Sequence, residues 1–342
     1  MLTPSLRLGA LTKYRRTTFR PSTRQPDFRP QPRRAFTASK PLASVDAKNS
    51  ARRPGATREI PWEGRPPMSP TSQPNAHVIV GGFPPKALGG HDMDYARLRL
   101  LELLEEKDVL SSVSNDFHDI ERWLPDSQLL ITYLAGPFLD DHQNAIVRDW
   151  LAAGGHWLGL HGSAGGKAAR MGDGRRRRMV KTSHHETLGG FFINHPPMRR
   201  FTVSVADTND VFTKDLPASF ETIDEPYMIE IQSPSDTHVL LTAELGPDNS
   251  PPGFGFDYEQ DTSLAPDGKT RVLGYTRNFG YGGVAYIALG HCHSPASNIQ
   301  TMVDTTVDPA GVTPTTLRVT WESDAYMQLL RNAIDWGIGG GL

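Results

Sequence analysis

Short apolar runs alternate with segments of helical period between residues 77 and 161, and this alternation restricts the fold most. His77–Val78–Ile79–Val80–Gly81–Gly82–Phe83 reads as a buried strand ending in glycine. Val109 to Val113 reads as a second strand, Gln128 to Tyr133 as a third and His156 to Leu160 as a fourth. From Asp94 to Leu104 the apolar residues recur at three- and four-residue steps. Asp140 and Asp141 open a further helix, where acids suit the positive end of the dipole. It runs through Ile146, Val147, Trp150 and Leu151 to a stop at Gly154–Gly155. Alternation of this kind predicts an α/β fold with a parallel sheet covered on both faces.

The second half is more mixed. Strands are expected at Phe201–Val205, Tyr227–Ile231, Val239–Thr242, Val272–Thr276 and Val284–Leu289, and a terminal helix from Tyr326 to Trp336. Residues 246–270 and 294–314 are rich in Pro, Gly, Asp and Thr and read as loops. No internal repeat is present.

Ligands of such sheets bind beyond the carboxyl ends of the strands. That rule selects His91–Asp92, Gly136–Pro137, His161–Gly162–Ser163 and Gly290–His291. His91, His161 and His291 each follow a strand and adjoin glycine, so they are candidates for acid, base or metal ligand. A helix-capping histidine hydrogen-bonded to backbone is the bland reading of His161. Three histidines could hold one divalent ion, although HExxH is absent and His184–His185–Glu186 has the wrong spacing for it. Asp224–Glu225–Pro226–Tyr227 sets two acids before a strand, one of which could orient a histidine or bind a metal. His195, between Asn194 and Pro196–Pro197, is either a site residue or a turn residue. Arg175 to Arg178, with Lys167, Arg170 and Lys181, reads as a basic loop that could hold an anion or simply be solvated.

Charge divides the chain. Residues 1–58 carry 14 Lys or Arg against Asp27 and Asp46, whereas the rest carries 22 bases against 36 acids. Residues 1–76 hold 12 of the 28 prolines and none of the 12 histidines. Residues 1–75 are therefore expected to be a disordered basic segment, ahead of one domain over 76–338. Residues 1–40 are Arg- and Ser/Thr-rich and nearly free of acids. With Arg33–Arg34–Ala35–Phe36 before small residues, they have the composition of a mitochondrial transit peptide. A start at Met68 would instead give a cytoplasmic protein. The acidic globular part argues against a nucleic-acid partner, and no apolar run is long enough to span a membrane. The single cysteine, Cys292, excludes an internal disulfide and a Cys-rich metal site.

Five segments stand in the order found in the ThuA-like, or trehalose utilization, family, which this sequence resembles over roughly residues 76–338. They are Gly89–Gly90–His91–Asp92, Ala152 to Gly162, Leu188–Gly189–Gly190–Phe191 with His195–Pro196–Pro197, Asp224–Glu225 with Tyr227, and Leu289–Gly290–His291. The resemblance implies a flavodoxin-like, class I glutamine amidotransferase-like three-layer sandwich with a mostly parallel central sheet. It implies a link to disaccharide use, including keto-sugar routes, with a small carbohydrate as partner. His161 stands where amidotransferases carry their cysteine, so glutamine hydrolysis is not expected. Carried over by position, His91, His161, Glu225 and His291 are the catalytic candidates, and Asp92, His195, Tyr227 and Ser163 the substrate-binding ones. Asp210–Val211 and Gly280–Tyr281–Gly282–Gly283 depart from the family pattern, and the second loses its basic residues.

Three readings compete. One is a sugar isomerase or hydrolase using histidine acid/base chemistry or a divalent metal. Another is a non-catalytic carbohydrate-binding module. The third is a serine hydrolase, because His161–Gly162–Ser163–Ala164–Gly165 nearly matches G-x-S-x-G and Ser163, Asp224 or Glu225, and His291 follow the hydrolase order.

Overall fold

The computed structural model describes residues 73–82, 89–172, 174 and 176–339. The basic segment, its transit-peptide composition and Met68 lie outside the described residues, apart from residues 73–75.

A nine-stranded mixed sheet organises the chain. Its parallel half contains β1 (Asn75–Gly81), β2 (Leu110–Ser114), β3 (Leu129–Leu134), β4 (His156–Leu160) and β13 (Gly282–Ile287). They lie in the order β2-β1-β3-β4-β13, every pair parallel. The apolar runs explain this: β3 is buried along its whole length, and Val78, Ile79, Val80, Trp157 and Leu158 are fully buried. Strands covered on both faces need no polar alternation.

The other half is antiparallel. It continues from β13 through β12 (Thr270–Phe279), β11 (His238–Glu244), β8 (Arg199–Val205) and β9 (Ser219–Asp224). A second small sheet pairs β7 (Gly190–Asn194) with β10 (Met228–Ile231). The run expected to be one basic loop is instead a hairpin of β5 (Lys167–Arg170) and β6 (Arg177–Val180). Each of its strands is four residues long with exposed ends, so its sequence carries no apolar period.

The helices start where side chains can cap them. Asp92 accepts from Tyr95 N at the start of α1 (Met93–Glu106), and Asp140 forms a capping box with Gln143 on α3 (Asp141–Ala152). The short helix α2 spans Ile120–Trp123 and α4 spans Ser183–Leu188, with Thr182 and His185 bonded reciprocally at its start. Ser323 caps the last helix, α5 (Asp324–Gly337). Helices α1 and α5 contact each other and β3, while α3 contacts α2, α4 and β13. No described helix is long and apolar enough to cross a membrane.

Topology brings distant residues to one edge. β4 and β13 are parallel neighbours with Leu160 opposite Ile287, so their carboxyl ends, His161 and Gly290–His291, emerge side by side. β11 and β8 share only two paired residues, which frees the β8–β9 ribbon to return over that edge. Its last residue, Asp224, accepts hydrogen bonds from Gly290 N at 2.8 Å and His291 N at 3.0 Å. Glu225 is thereby delivered to the ends of β4 and β13.

Candidate functional site

His161, the residue after β4, has φ of 42°, a left-handed conformation that non-glycine residues seldom hold. Such strain persists only where its surroundings impose it, and it concentrates at sites. The next residue shows the constraint. A Cβ on Gly162 would lie 2.2 Å from the Leu134 carbonyl oxygen. Replacing Gly162 with alanine should therefore push the turn off β3 and lower stability by about 1–3 kcal/mol, the cost of overpacking. Chemical denaturation checks this, and an unchanged midpoint would show that β3 yields without cost.

Four side chains converge. The His91, His161 and His291 ring centroids are 5.0, 5.1 and 5.7 Å apart. His161 Nε2 lies 3.1 Å from His91 Nε2 and 3.1 Å from Glu225 Oε2. His291 Nδ1 lies 3.2 Å from Glu225 Oε1, and His91 Nε2 lies 3.9 Å from Oε2. One ligand atom from each of these residues falls within 4.8 Å of the others, so together they could hold a metal ion. Asp207, Asp210 and His238 make a second, more exposed group of that kind.

Each ring is held from behind. His161 Nδ1 bonds Ala288 O at 2.7 Å, and His91 Nδ1 bonds Gly89 O at 2.8 Å. His291 Nε2 meets His293 Nδ1 at 2.9 Å, and His293 Nε2 meets Pro314 O at 2.8 Å. The Gln300 side-chain amide donates to Glu225 Oε1. The Tyr286 hydroxyl donates to His161 O at 2.7 Å, and Tyr227 stacks on the His161 ring at 4.1 Å.

Burial sets the electrostatics. It drives His91 down to about 3, aided by neighbouring His161 and His291, so this ring is neutral at pH 7. Burial also pulls His161 down, but the hydrogen bond and charge of Glu225 outweigh it and leave His161 raised. For Glu225, burial alone would raise the carboxyl. His195, His291 and His161 reverse that and hold it well below the usual carboxylate range. Burial raises Asp224, against the pull of His161 and the amides it accepts.

The cluster forms one wall of a cavity of about 300 Å³. His91, His195, Glu225 and Tyr227 line it with Phe192, Phe256, Arg177 and Gln300. His195 Nε2 is 3.8 Å from Glu225 Oε1, and its ring stacks against Tyr227 at 5.7 Å. His161 and His291 are fully buried and sit behind this lining.

Two expected site residues fall elsewhere. Ser163 is fully buried, and its Oγ bonds Thr132 O at 2.8 Å and Thr132 Oγ1 at 2.9 Å. It lies within the turn after β4 and ties it to β3, and the only described histidine bond to Ser163 is from His184 Nε2 to its backbone carbonyl at 2.8 Å, so the triad order seen in the sequence is not a triad in space. Asp92 caps α1 and accepts from Arg318 Nη2 at 2.9 Å, so it anchors the helix after His91 and does not line the cavity. Cys292 is buried, with a thiol pushed up to about 12 by burial, bonded to Tyr133 and Asp92 O. Gln300, His293 and Phe256 join or support the site from loops without a sequence signal, and Arg177, read in the sequence as part of a basic loop, reaches it from the β5–β6 hairpin.

A family model described as "ThuA: Trehalose utilisation" matches residues 87–304, more than half of the chain. The chain belongs to the ThuA family. A ThuA-like protein from Bacteroides uniformis is similar in structure, with a TM-score of 0.50 and 18% identity, over 80% of this chain and 95% of that one. A ThuA-like protein from Parabacteroides merdae has a TM-score of 0.47 and 17% identity, over 78% of this chain and 91% of that one. No curated protein matches in sequence.

Proposed function

We propose that this protein is a sugar-metabolising enzyme, an isomerase or hydrolase acting on a disaccharide or its keto derivative in the cavity beside His91. The observation that carries this reading is the convergence of Glu225 and histidines on a cavity with aromatic walls. A cavity of about 300 Å³ is at the small end of ligand sites, and its few convergent polar groups suit orientation of a small polyol. Phe192, Tyr227 and Phe256 offer apolar surface to the C–H faces of a sugar ring, and Arg177 and Gln300 offer donors to its hydroxyls. Membership of the trehalose utilisation family supports the substrate class.

Proton transfer falls to Glu225 and His195, which face the cavity 3.8 Å apart. His161 and His291, buried behind them, fix and charge Glu225 without touching sugar. A three-layer sandwich goes with this reading, with α1 and α5 as one outer layer and α2, α3 and α4 as the other. Glutamine is not the substrate in this proposal. The strand-end position of an amidotransferase nucleophile carries His161, and the only thiol, Cys292, is buried and held protonated by its surroundings.

Turnover of a panel of disaccharides and keto-disaccharides tests the proposal. Glu225→Gln should lower kcat/KM by about 10²- to 10⁴-fold, the usual contribution of a general acid or base. Turnover unchanged in that variant would overturn the assignment. Glutamine hydrolysis abolished by Cys292→Ser would overturn the exclusion of amidotransferase chemistry.

A further inference from the structure

The hydrogen bonds behind the three histidines determine where their protons are. Ala288 O and Gly89 O can only accept, so the Nδ1 atoms of His161 and His91 carry hydrogen and donate. When those rings are neutral, their Nε2 atoms present lone pairs, and these two Nε2 atoms stand 3.1 Å apart. The same accounting runs along the third chain. Pro314 O accepts from His293 Nε2, which leaves His293 Nδ1 to accept from His291 Nε2. His291 Nδ1 is then an unprotonated acceptor, fully buried and without a hydrogen-bond partner, 3.2 Å from the acceptor Glu225 Oε1. A single proton on His161 Nε2 would serve its contact with His91 Nε2 or with Glu225 Oε2, and would leave the 3.2 Å contact between His291 Nδ1 and Glu225 Oε1 without a donor.

We infer that a divalent first-row transition ion of the zinc class binds between His91 Nε2, His161 Nε2, His291 Nδ1 and Glu225. A cation removes the conflict that four facing acceptors create. The spacing fits: tetrahedral bonds of about 2.0–2.1 Å to nitrogen and oxygen place ligand atoms roughly 3.3 Å apart. The distances between these atoms run from 3.1 to 3.9 Å for the contacts above, and none exceeds 4.8 Å. Imidazole and carboxylate donors suit zinc and its neighbours rather than calcium or magnesium. Each histidine also donates its other ring nitrogen to a backbone carbonyl or a further histidine, the support that fixes metal-binding rings. The site does not depend on the sugar reading. If that reading holds, Glu225 is a ligand when the ion is bound, His195 remains the proton carrier, and a sugar oxygen beside His91 would be polarised only as a fifth ligand.

The untagged full chain, stripped with chelator and dialysed, is titrated with zinc by calorimetry and with cobalt by visible absorption. The expected result is one equivalent bound, a cobalt spectrum of tetrahedral intensity and a thermal midpoint raised by zinc. His291→Ala should weaken binding on the order of 100-fold or more, since loss even of a supporting partner costs 10- to 100-fold. His91→Ala, at the more exposed rim, should do the same if the buried variant fails to fold. His238→Ala should leave the stoichiometry at one, which sets aside the Asp207–Asp210–His238 group. No binding of either ion by wild type overturns the inference and leaves a proton on His161 as the occupant of the gap. Binding lost in His238→Ala but kept in His91→Ala also overturns it. Sugar turnover is not read in any arm, so failure here is separate from failure of the proposed function.

Discussion

Replacing Asp224 with alanine should lower the thermal midpoint by about 10 °C. The carboxylate is fully buried and accepts four hydrogen bonds. Oδ1 takes Glu225 N at 2.8 Å and His291 N at 3.0 Å, and Oδ2 takes Gly290 N at 2.8 Å and Thr320 Oγ1 at 2.6 Å. Alanine leaves three buried amides and a hydroxyl without their acceptor. Each orphaned donor costs about 1–3 kcal/mol, and with partial relaxation a loss of roughly 4 kcal/mol is reasonable. At about 2–4 °C per kcal/mol for a domain of this size, that gives the shift stated. Asn, which keeps one acceptor oxygen, should lose less. The same bonds tie Glu225 to His291, so Asp224→Ala should also weaken any ligand of that pair. A midpoint within about 3 °C of wild type would show that Asp224 does not join the ribbon to the edge of β13.

Acid should unfold the protein through histidines buried in their neutral form. His77 is fully buried, with Nδ1 bonded to Ser112 at 2.7 Å and its ring stacked on Trp123, and burial lowers it to about 4. His184 is fully buried among Phe117, Phe138 and Trp157, and burial lowers it to about 3. The unfolded chain takes up protons near pH 6.5, whereas the folded chain resists until about pH 4 or below. Between those values the unfolded state binds more protons, so stability falls as pH falls. The stabilising contribution is complete above pH 6.5. By pH 4 each histidine removes up to about 3 kcal/mol, a large part of a typical 5–15 kcal/mol margin. Thermal melts from pH 7 to pH 4 should show a steep decline. His77→Phe, which keeps the stacked ring without the titration, should flatten part of it. A midpoint constant down to pH 4.5 would contradict the assignment of these rings as neutral in the fold.

The parallel half of the sheet was legible because its strands are buried on both faces. β1, β3, β4 and β13 therefore stand out as unbroken apolar runs. β9 does not, since its buried residues include Thr222 and Asp224 alongside Ile223, and polar atoms satisfied by long-range bonds leave no apolar period. β7 is marked locally only by the three apolar residues Phe191–Phe192–Ile193 between glycine and Asn194, a run too short to separate from a loop. Among the site residues, His91, His161 and His291 were visible through their place at strand ends beside glycine. Glu225 was visible only as one of two adjacent acids, and the topology separates their roles. Asp224 faces the backbone of Gly290 and His291 beyond β13, and Glu225 faces the histidines. Ser163 misled because a motif records order along the chain, whereas the turn aims its hydroxyl at Thr132. Gln300 and His293 could not be found, since their contacts depend on how the loops before α5 close over the edge.

Binding of carbohydrate to the cavity beside His91 is the central claim, and saturation-transfer NMR with a panel of disaccharides and keto-disaccharides measures it without any assumption about chemistry. At least one sugar should show transfer in the wild type, and that signal should fall sharply in His195→Ala, whose imidazole lines the cavity at 13% side-chain exposure. No sugar bound by a folded wild type, or a signal of the same strength in His195→Ala, would contradict the claim.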